Sequence, residues 1–263
     1  MMRHLLLVVT LCMAIPTTVF SQRHLKDMSP FITGLSIPGG IAYDSSGTLY
    51  IAEWGNERVC RYDDKGIRTV VTDGVGDPSG IAFDGNDSLY VAHYSGGVVY
   101  KLDQEGRATI YASGFNVPAG ITFIDGLLYV PSRDDGEVIR IERDGRKTVV
   151  ASGLPQPVSV LKMGSKLVIS CLSGPIYTVD ATGKAQILTP GVMGSGINIV
   201  PDGIDAFYIC VISSGTVERI TMDGERTVLA EGFSTPLGIA RRPDGNLVFS
   251  AWGQFAAYAL DVK

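Results

Sequence analysis

One phrase recurs along this chain of 263 residues, and it constrains the fold more than any other feature. From Pro38 the chain reads PGGIAYDSSGTLYIAEWGNERVCRYDDKGIRTVV, and from Pro78 it reads PSGIAFDGNDSLYVAHYSGGVVYKLDQEGRATIY. Six copies, 37 to 42 residues apart, begin at Pro38, Pro78, Pro118, Pro157, Gly194 and Pro236. Such a period indicates a repeat architecture, in which each unit buries its core by stacking on its neighbours.

Each copy contains four short β-rich runs, such as GIAYD, LYIAE, RVCRYD and RTVV, separated by turns of Asp, Gly and Asn. Four strands in about 40 residues are typical of one blade of a β-propeller. The chain also has 32 glycines and no long helical period, which favours many short turns over helices. We therefore predict an all-β, six-bladed β-propeller of four-stranded antiparallel blades.

The two ends of the chain predict how the ring closes. The sixth copy stops after three strands, at residues 258–263, whereas the phrase PFITGLSIP before the first copy matches the fourth-strand phrase TVLAEGFSTP. We expect this N-terminal strand to complete the last blade, because pairing the open edges joins the first blade to the last. The propeller then spans residues 31–263, and residues 22–30 form a short N-terminal arm.

Residues 1–21 have the pattern of a signal peptide. MMRH supplies a positive start, LLLVVTLCMAI an apolar stretch, and Val19-Phe20-Ser21 a cleavage site before Gln22. The apolar stretch is shorter than the about 20 residues that a membrane-spanning helix needs, so no membrane span is predicted. We expect the protein to be secreted or periplasmic.

Charge and cysteine content restrict the classes of partner and site. The leader carries one arginine and no acidic residue, so its removal changes the formal net charge from −5 to −6. Without a basic stripe, a nucleic-acid partner is not expected. Cys60, Cys171 and Cys210 allow at most one disulfide, and Cys171 and Cys210 either form it or pack as small apolar residues. No CxxC or Cys/His spacing predicts a zinc site.

The phrases PxGIAxDxxGxLYVA and RVxRxDxxG resemble those of NHL-repeat propellers and their relatives, the gluconolactonase/senescence-marker family and the streptogramin lyases. The resemblance covers residues 31–263 and implies the propeller fold. It also implies either a lactonase-like hydrolase or a lyase, or a non-catalytic NHL-type module that binds a protein or a glycan. Because one fold supports many chemistries, the site has to decide between these functions.

The resemblance also implies a divalent cation, such as Ca²⁺, held partly by Asn and Asp at the second position of PxGI. Hard cations need several oxygen ligands. None of the residues at that position in this chain is a carboxylate or an amide, so no metal ligand is predicted. These residues are Gly39, Ser79, Ala119, Val158, Ser195 and Leu237. Glu53, in LYIAE, is similar to the glutamate in the LWFTE phrase of streptogramin lyases, but their multi-histidine centre has no counterpart beyond His93.

The two rims of the predicted ring differ in their sequence variation. The turns between strands one and two and between strands three and four are Asp/Gly turns on one rim. The loops after the second strands lie on the other rim and vary from copy to copy, which favours a binding site there. Their residues are Glu53-Trp54, His93-Tyr94, Ser132-Arg133-Asp134, Cys171-Leu172, Val211-Ile212 and Ala251-Trp252.

Ionisable residues of this rim are the candidate catalytic and binding groups. Glu53 and His93 occupy matching positions in adjacent blades and would act as a general-base pair, unless both are surface loop residues or partners in a structural hydrogen bond. Arg133 would hold a carboxylate or oxyanion with its planar fork, unless it belongs to a solvated loop. The aromatic walls of the site are predicted to be Trp54, Tyr94 and Trp252.

The sequence thus predicts an exported propeller, expected to be a monomer, that binds a small organic molecule with an anionic or polar end at its central mouth. As a lactonase-like hydrolase or a lyase it would use Glu53 or His93 to move a proton. The alternative is a non-catalytic module that recognises a protein or glycan through the same rim.

Overall fold

Six β-sheets follow one another along the chain in a computed structural model that describes residues 21–262. The first strands of successive sheets pack against one another around a central axis, and the sixth sheet packs against the first. The six-bladed, four-stranded antiparallel propeller predicted from the repeats is confirmed. The predicted signal peptide, residues 1–21, lies outside the described residues except for Ser21.

The strands are numbered in chain order. The chain enters through β1 (Arg23–His24) and β2 (Ile32–Thr33). Blade one contains β3 (Pro38–Tyr43), β4 (Leu49–Glu53), β5 (Arg58–Tyr62) and β6 (Arg68–Thr72). Blade two contains β7 (Pro78–Phe83), β8 (Leu89–His93), β9 (Val98–Leu102) and β10 (Ala108–Ser113). Blade three contains β11 (Thr122–Ile124), β12 (Leu127–Ser132), β13 (Glu137–Ile141) and β14 (Lys147–Ala151).

Blade four contains β15 (Pro157–Met163), β16 (Lys166–Cys171), β17 (Ile176–Val179) and β18 (Ala185–Thr189). Blade five contains β19 (Ser195–Asp202), β20 (Ala206–Val211), β21 (Thr216–Thr221) and β22 (Arg226–Glu231). Blade six contains β23 (Pro236–Arg241), β24 (Leu247–Ala251) and β25 (Ala256–Leu260). Short 3₁₀ turns lie at Leu25–Asp27, Trp54–Asn56 and Trp252–Gln254. No helix within residues 21–262 is long and apolar enough to cross a membrane.

The N-terminal strand closes the ring as predicted. β2 pairs antiparallel with β25, with Ile32 opposite Ala257 and Thr33 opposite Ala256. Ile32 is buried in the apolar cluster between blades six and one, which also contains Leu35. The outer edge of blade six is therefore paired by a strand that precedes blade one in the sequence, which ties the two ends of the chain together.

The N-terminal arm does more than lead into the ring. β1 adds a fifth strand to blade five, parallel to β22, with Arg23 opposite Ala230 and His24 opposite Glu231. The His24 Nε2 atom lies 2.6 Å from a carboxylate oxygen of Glu231. The sequence predicted an arm over residues 22–30 but not this pairing, because two residues carry no readable strand pattern.

Each blade buries both faces, since it lies between two neighbours. In β4, Leu49 and Ile51 belong to the cluster shared with blade six, whereas Ala52 belongs to the cluster shared with blade two. This alternation follows from the two-residue period of a strand. It explains why the second strands are nearly continuous apolar runs, and it places the core between blades rather than at the axis.

The three cysteines of the described residues are buried and carry free thiols. Cys171 lies in the cluster between blades three and four, and Cys210 lies in the cluster between blades five and six. Cys171 and Cys210 form no disulfide and instead pack as small apolar residues, which was the second of the two alternatives.

Blade five departs from the repeat near the axis. In blade one, Pro38 pairs with Glu53 and Ile41 with Ile51, whereas in blade five Ser195 pairs with Val211 and Ile199 with Ile209. The inner strand of blade five is thus one residue longer between the matching pairs, and it bulges. The bulge brings the carbonyl oxygen of Ile197 close to Gly120 of blade three. A Cβ atom added to Gly120 would lie 1.8 Å from that oxygen.

Candidate functional site

One residue per blade follows the second strand, and the backbone holds all six in equivalent positions. The amide N–H of each donates to the carbonyl of the residue immediately before the first paired residue of the inner strand. Trp54 donates to Ile37 at 3.1 Å, and Trp252 donates to Thr235 at 3.0 Å. We call these six residues the mouth ring. They are Trp54, Tyr94, Arg133, Leu172, Ile212 and Trp252.

Three β-branched residues whose carbonyls accept these hydrogen bonds have a strained backbone conformation. Ile37, Val117 and Thr235 have φ angles of 48°, 59° and 53°. A β-branched residue in the left-handed region is an outlier that costs roughly 1–3 kcal/mol. Because such strain clusters at functional sites, its recurrence beneath the mouth ring marks this rim as a place where side-chain position matters.

The mouth ring surrounds a cavity of about 160 Å³ on the propeller axis. A cavity of roughly 150 Å³ can hold a benzene-sized ring. Inner-strand residues form the floor, and a cluster of Ala119, Val158 and Ile197 makes much of it apolar. The remaining floor residues are Gly39, Ser79, Ser195 and Leu237.

Four of the six mouth-ring residues form a continuous row of π groups. The ring centroids of Trp252 and Trp54 are 6.3 Å apart, and those of Trp54 and Tyr94 are 4.6 Å apart. The guanidinium carbon of Arg133 lies 4.9 Å from the centroid of the Tyr94 ring. Leu172 and Ile212 complete the mouth ring. The structure thus places all four predicted substrate-binding residues around one cavity, which can stack a flat apolar ligand.

Arg133 is the one charged residue among the described residues that line the cavity. Its side chain is 18% exposed, its Nε donates to Asp134 at 2.7 Å, and its Nη1 donates to the Tyr94 hydroxyl. No hydrogen bond to another described residue involves Nη2. Asp134 is partly exposed, and exposed ion pairs contribute about 0–1 kcal/mol, so this pair orients the guanidinium without preventing it from binding an anion.

Glu53 lies outside the cavity lining and is fully buried. Its carboxylate accepts hydrogen bonds from the Tyr62 hydroxyl at 2.7 Å, from Arg58 at 2.9 Å and from the Ser36 amide at 3.3 Å. Burial alone would raise the pKa of Glu53, but the hydrogen bonds from Tyr62 and Arg58 outweigh burial and lower it. These contacts match the alternative in which Glu53 is a partner in structural hydrogen bonds. The carboxylate connects Ser36, in the linker before blade one, to Arg58 and Tyr62 of the blade.

His93 has its own partners as well. Its Nε2 lies 3.1 Å from Asp77 Oδ1, which also accepts a hydrogen bond from Ser95 at 2.9 Å. The ring occupies a slot between Gly76 and Gly96, where an added Cβ would lie 2.0 and 2.2 Å from ring atoms. No hydrogen bond between His93 and Glu53 occurs in the described part of the chain, so the structure does not assemble the predicted general-base pair.

A one-residue phase separates the catalytic candidates from the cavity. Glu53 and His93 are the last residues of β4 and β8, and side chains of successive strand residues point to opposite sides. The residues that follow them, Trp54 and Tyr94, face the axis. One signal in the sequence could have shown this phase: the equivalents of Glu53 in blades four to six are Cys171, Val211 and Ala251, which are typical of buried positions.

Two serines on the floor differ in their hydrogen bonds. The Ser79 hydroxyl lies 3.0 Å from the carbonyl oxygens of Pro118 and Ala119 and donates to them. Ser195 is 1% exposed, and its hydroxyl has no hydrogen-bond partner in the described chain. A buried hydroxyl without a partner costs about 1–3 kcal/mol. In the sequence, Ser195 is notable only as a position without a metal ligand, because a repeat does not reveal which hydroxyls have hydrogen-bond partners.

The residues at the mouth do not fit the calcium ion that the resemblance implies. Within residues 21–262, no group of three or more His, Cys, Asp or Glu side chains could hold a metal ion. The floor offers hydroxyls and apolar side chains, and the Ser79 hydroxyl is already engaged by backbone carbonyls. Ca²⁺ takes six to eight oxygen ligands, a set that the side chains of this floor do not supply.

No family model and no curated protein sequence matches the chain. A gluconolactonase structure from Xanthomonas campestris matches with a TM-score of 0.78 and 17% identity, over 89% of each chain. A calcium-binding regucalcin from Agrobacterium tumefaciens gives 0.76 and 17%, over 93% of this chain and 96% of that one. Virginiamycin B lyase from Staphylococcus aureus gives 0.64 and 17%, over 83% and 78%. The predicted likeness to gluconolactonase and streptogramin lyase propellers is confirmed as a likeness of fold.

Proposed function

We propose that this protein binds a small, flat apolar molecule with one anionic group at the mouth ring. The observation that carries the proposal is the single guanidinium of Arg133 in an otherwise apolar and aromatic cavity. Ligand pockets commonly combine an apolar lining with a few placed polar groups that fix orientation. An aromatic acid fits both the aromatic lining and the guanidinium, because its ring stacks on Trp54 and Trp252 while its carboxylate binds the two donors of the Arg133 fork.

Export from the cytoplasm is part of the proposal. Residues 1–21 support it by their signal-peptide pattern, and the protein would meet its ligand outside the cytoplasm. The concave shape of the cavity favours a small molecule over a protein or glycan partner, for which a flat rim would be better suited.

A lactonase-like hydrolase or a lyase is the second candidate, favoured by the likeness of fold to a gluconolactonase and a virginiamycin B lyase. Such chemistry needs a group that takes up a proton near neutral pH. The ionisable lining residues are Arg133 and Tyr94. A guanidinium does not accept a proton, and burial raises the pKa of the Tyr94 hydroxyl above its ordinary value of 10. Binding is therefore the better supported function.

Tryptophan fluorescence provides a direct test, since the chain has two tryptophans and both belong to the mouth ring. Purified protein would be titrated with phenylacetate and with neutral phenylacetamide. We expect saturable quenching by the acid and about tenfold weaker binding of the amide, which corresponds to one charge-assisted hydrogen bond. Arg133→Gln should abolish the difference between acid and amide.

Arg143→Gln is the matched control, because Arg143 is exposed in the same blade on the opposite rim. That variant should retain the preference for the acid. A preference that persists in Arg133→Gln, or the absence of saturable quenching by any aromatic acid, would contradict the proposal. Lactone hydrolysis by the wild type that is lost in a folded His93→Ala variant would establish the second candidate instead.

A further inference from the structure

Ser195 gives the cavity a polar position on its floor, in addition to Arg133 of the mouth ring. We infer that the ligand is an aromatic acid with a ring hydroxyl, and that Ser195 binds this hydroxyl while Arg133 binds the carboxylate. The inference rests on the proposed function and names its ligand class. It assigns to Ser195 a role in specificity.

Ser79 and Ser195 differ in whether their hydroxyl groups have hydrogen-bond partners. Both serines line the same floor and both are almost fully buried. The Ser79 hydroxyl donates to backbone carbonyls, whereas the Ser195 hydroxyl has no partner in the chain between residues 21 and 262. Buried polar groups are hydrogen-bonded in the large majority of cases, so an unpaired hydroxyl beside a cavity calls for a partner that enters the cavity.

The strand register places Ser195 at a position where the other blades have proline. Ser195 pairs with Val211, as Pro38 pairs with Glu53 and Pro78 with His93. The register therefore aligns Ser195, rather than Gly194, with the prolines that begin the other five copies. Since those blades form the same junction with an apolar residue that lacks a hydroxyl, the scaffold itself does not require a hydroxyl at this position.

Apolar neighbours of Ser195 offer its hydroxyl no side-chain hydrogen bond. The floor around it includes Ile197 and Leu237, which cannot form a hydrogen bond through their side chains. A ligand hydroxyl can both donate to and accept from a serine hydroxyl, so it satisfies the orphan group in either orientation. Ser195 and Arg133 line the same cavity, whose volume of about 160 Å³ accommodates one aromatic ring.

The test compares phenylacetate with 4-hydroxyphenylacetate and 3-hydroxyphenylacetate by tryptophan fluorescence. In the wild type, the better of the two hydroxylated acids should bind about 3- to 10-fold more tightly than phenylacetate, the gain of one net hydrogen bond. Ser195→Ala should reduce this ratio to about one while changing the Kd of phenylacetate less than about twofold. Ser170→Ala is the matched control and should retain the ratio, because Ser170 is another buried serine whose hydroxyl has no partner among residues 21–262, and it does not line the cavity.

Thermal melting without ligand gives a second readout. Removing an unpaired hydroxyl relieves its desolvation cost, so Ser195→Ala should keep or raise the melting temperature, whereas Ser79→Ala should lower it by about 2 °C or more. A ratio that is unchanged in Ser195→Ala, or no gain from either hydroxyl in the wild type, would overturn the inference. Either result would leave the proposed function standing if phenylacetate binding still depends on Arg133. Absence of saturable quenching of the wild type by phenylacetate and by both hydroxyphenylacetates would overturn both.

Discussion

The indole rings of Trp54 and Trp252 stack with 6.3 Å between their centroids and 27° between their planes. One belongs to the first blade and the other to the last, so the contact crosses the seam where the ring closes. The same seam is held by β2, which precedes blade one and completes blade six. Closure of the propeller and the geometry of the cavity are therefore coupled.

Deletion of residues 22–35 removes β2 and leaves the edges of blade six and of the seam unpaired. We expect aggregation or loss of cooperative thermal unfolding, together with altered tryptophan emission because the Trp54–Trp252 contact loosens. Circular dichroism melting and emission spectra measure both effects. Deletion of residues 22–24 is the control; it removes β1 alone and should lower the melting temperature while leaving unfolding cooperative. Normal melting of the longer deletion would contradict closure by β2.

Glu53→Gln tests whether Glu53 is structural. Removing one partner from a buried ion pair costs about 3–5 kcal/mol, so we expect a large loss of unfolding free energy at pH 7. Glu105→Gln removes an exposed carboxylate from an ion pair with Arg107 and should cost less than about 1 kcal/mol. Urea denaturation measures both. A Glu53→Gln variant as stable as the wild type would show that the Tyr62 and Arg58 contacts contribute little.

The acid dependence of stability should identify Glu53 separately. Because hydrogen bonds lower the pKa of Glu53 in the folded state, its ionised form stabilises the protein above the ordinary value of 4.5, and this contribution is lost as the pH falls through the lowered pKa. We therefore expect the unfolding free energy of Glu53→Gln to change less than that of the wild type as the pH is lowered below about 4.5. Parallel pH profiles for the two proteins would contradict this assignment.

Gly120→Ala tests the close approach of blades at the axis. An added Cβ would lie 1.8 Å from the Ile197 carbonyl and 2.6 Å from the Val158 carbonyl, and neither backbone atom can move without displacing a strand. We expect a loss of about 3 kcal/mol or more in unfolding free energy and weaker binding of phenylacetate, since Ile197 is part of the cavity floor. Gly85→Ala has nothing within 4 Å of the added Cβ and should be nearly neutral in urea denaturation. Equal stability of the two variants would refute the packing at the axis.

Thiol reactivity tests the burial of the cysteines. Burial raises the pKa of Cys171, and burial together with the nearby Glu53 carboxylate raises that of Cys60, each to about 12. The thiolate is the reactive form, so Cys60, Cys171 and Cys210 should not react with a thiol reagent at pH 8 in the native protein. All three should react after denaturation without a reducing agent. Recovery of a single thiol under those conditions would instead show a disulfide.

Several features follow from local patterns and were predictable. The repeat period, the four strands per blade and the Asp/Gly turns depend on neighbouring residues, and the strand before the first copy is recognisable by its phrase. Trp54, Tyr94, Arg133 and Trp252 could be assigned to one rim for the same reason. The catalytic candidates were harder, because Glu53 and Trp54 are adjacent in sequence and the phase of the strand decides which of them faces the axis.

The sequence by itself determined the six-bladed ring, its closure by an N-terminal strand and the rim that carries variation, because each of these follows from periodicity and turn chemistry. Only the tertiary structure decided that Glu53 is enclosed by Tyr62 and Arg58, that β1 extends blade five, and that a bulge brings Ser195 and Ile197 to the cavity floor. These features depend on hydrogen-bond register and on contacts between separate blades, where residues far apart in sequence compete for the same space.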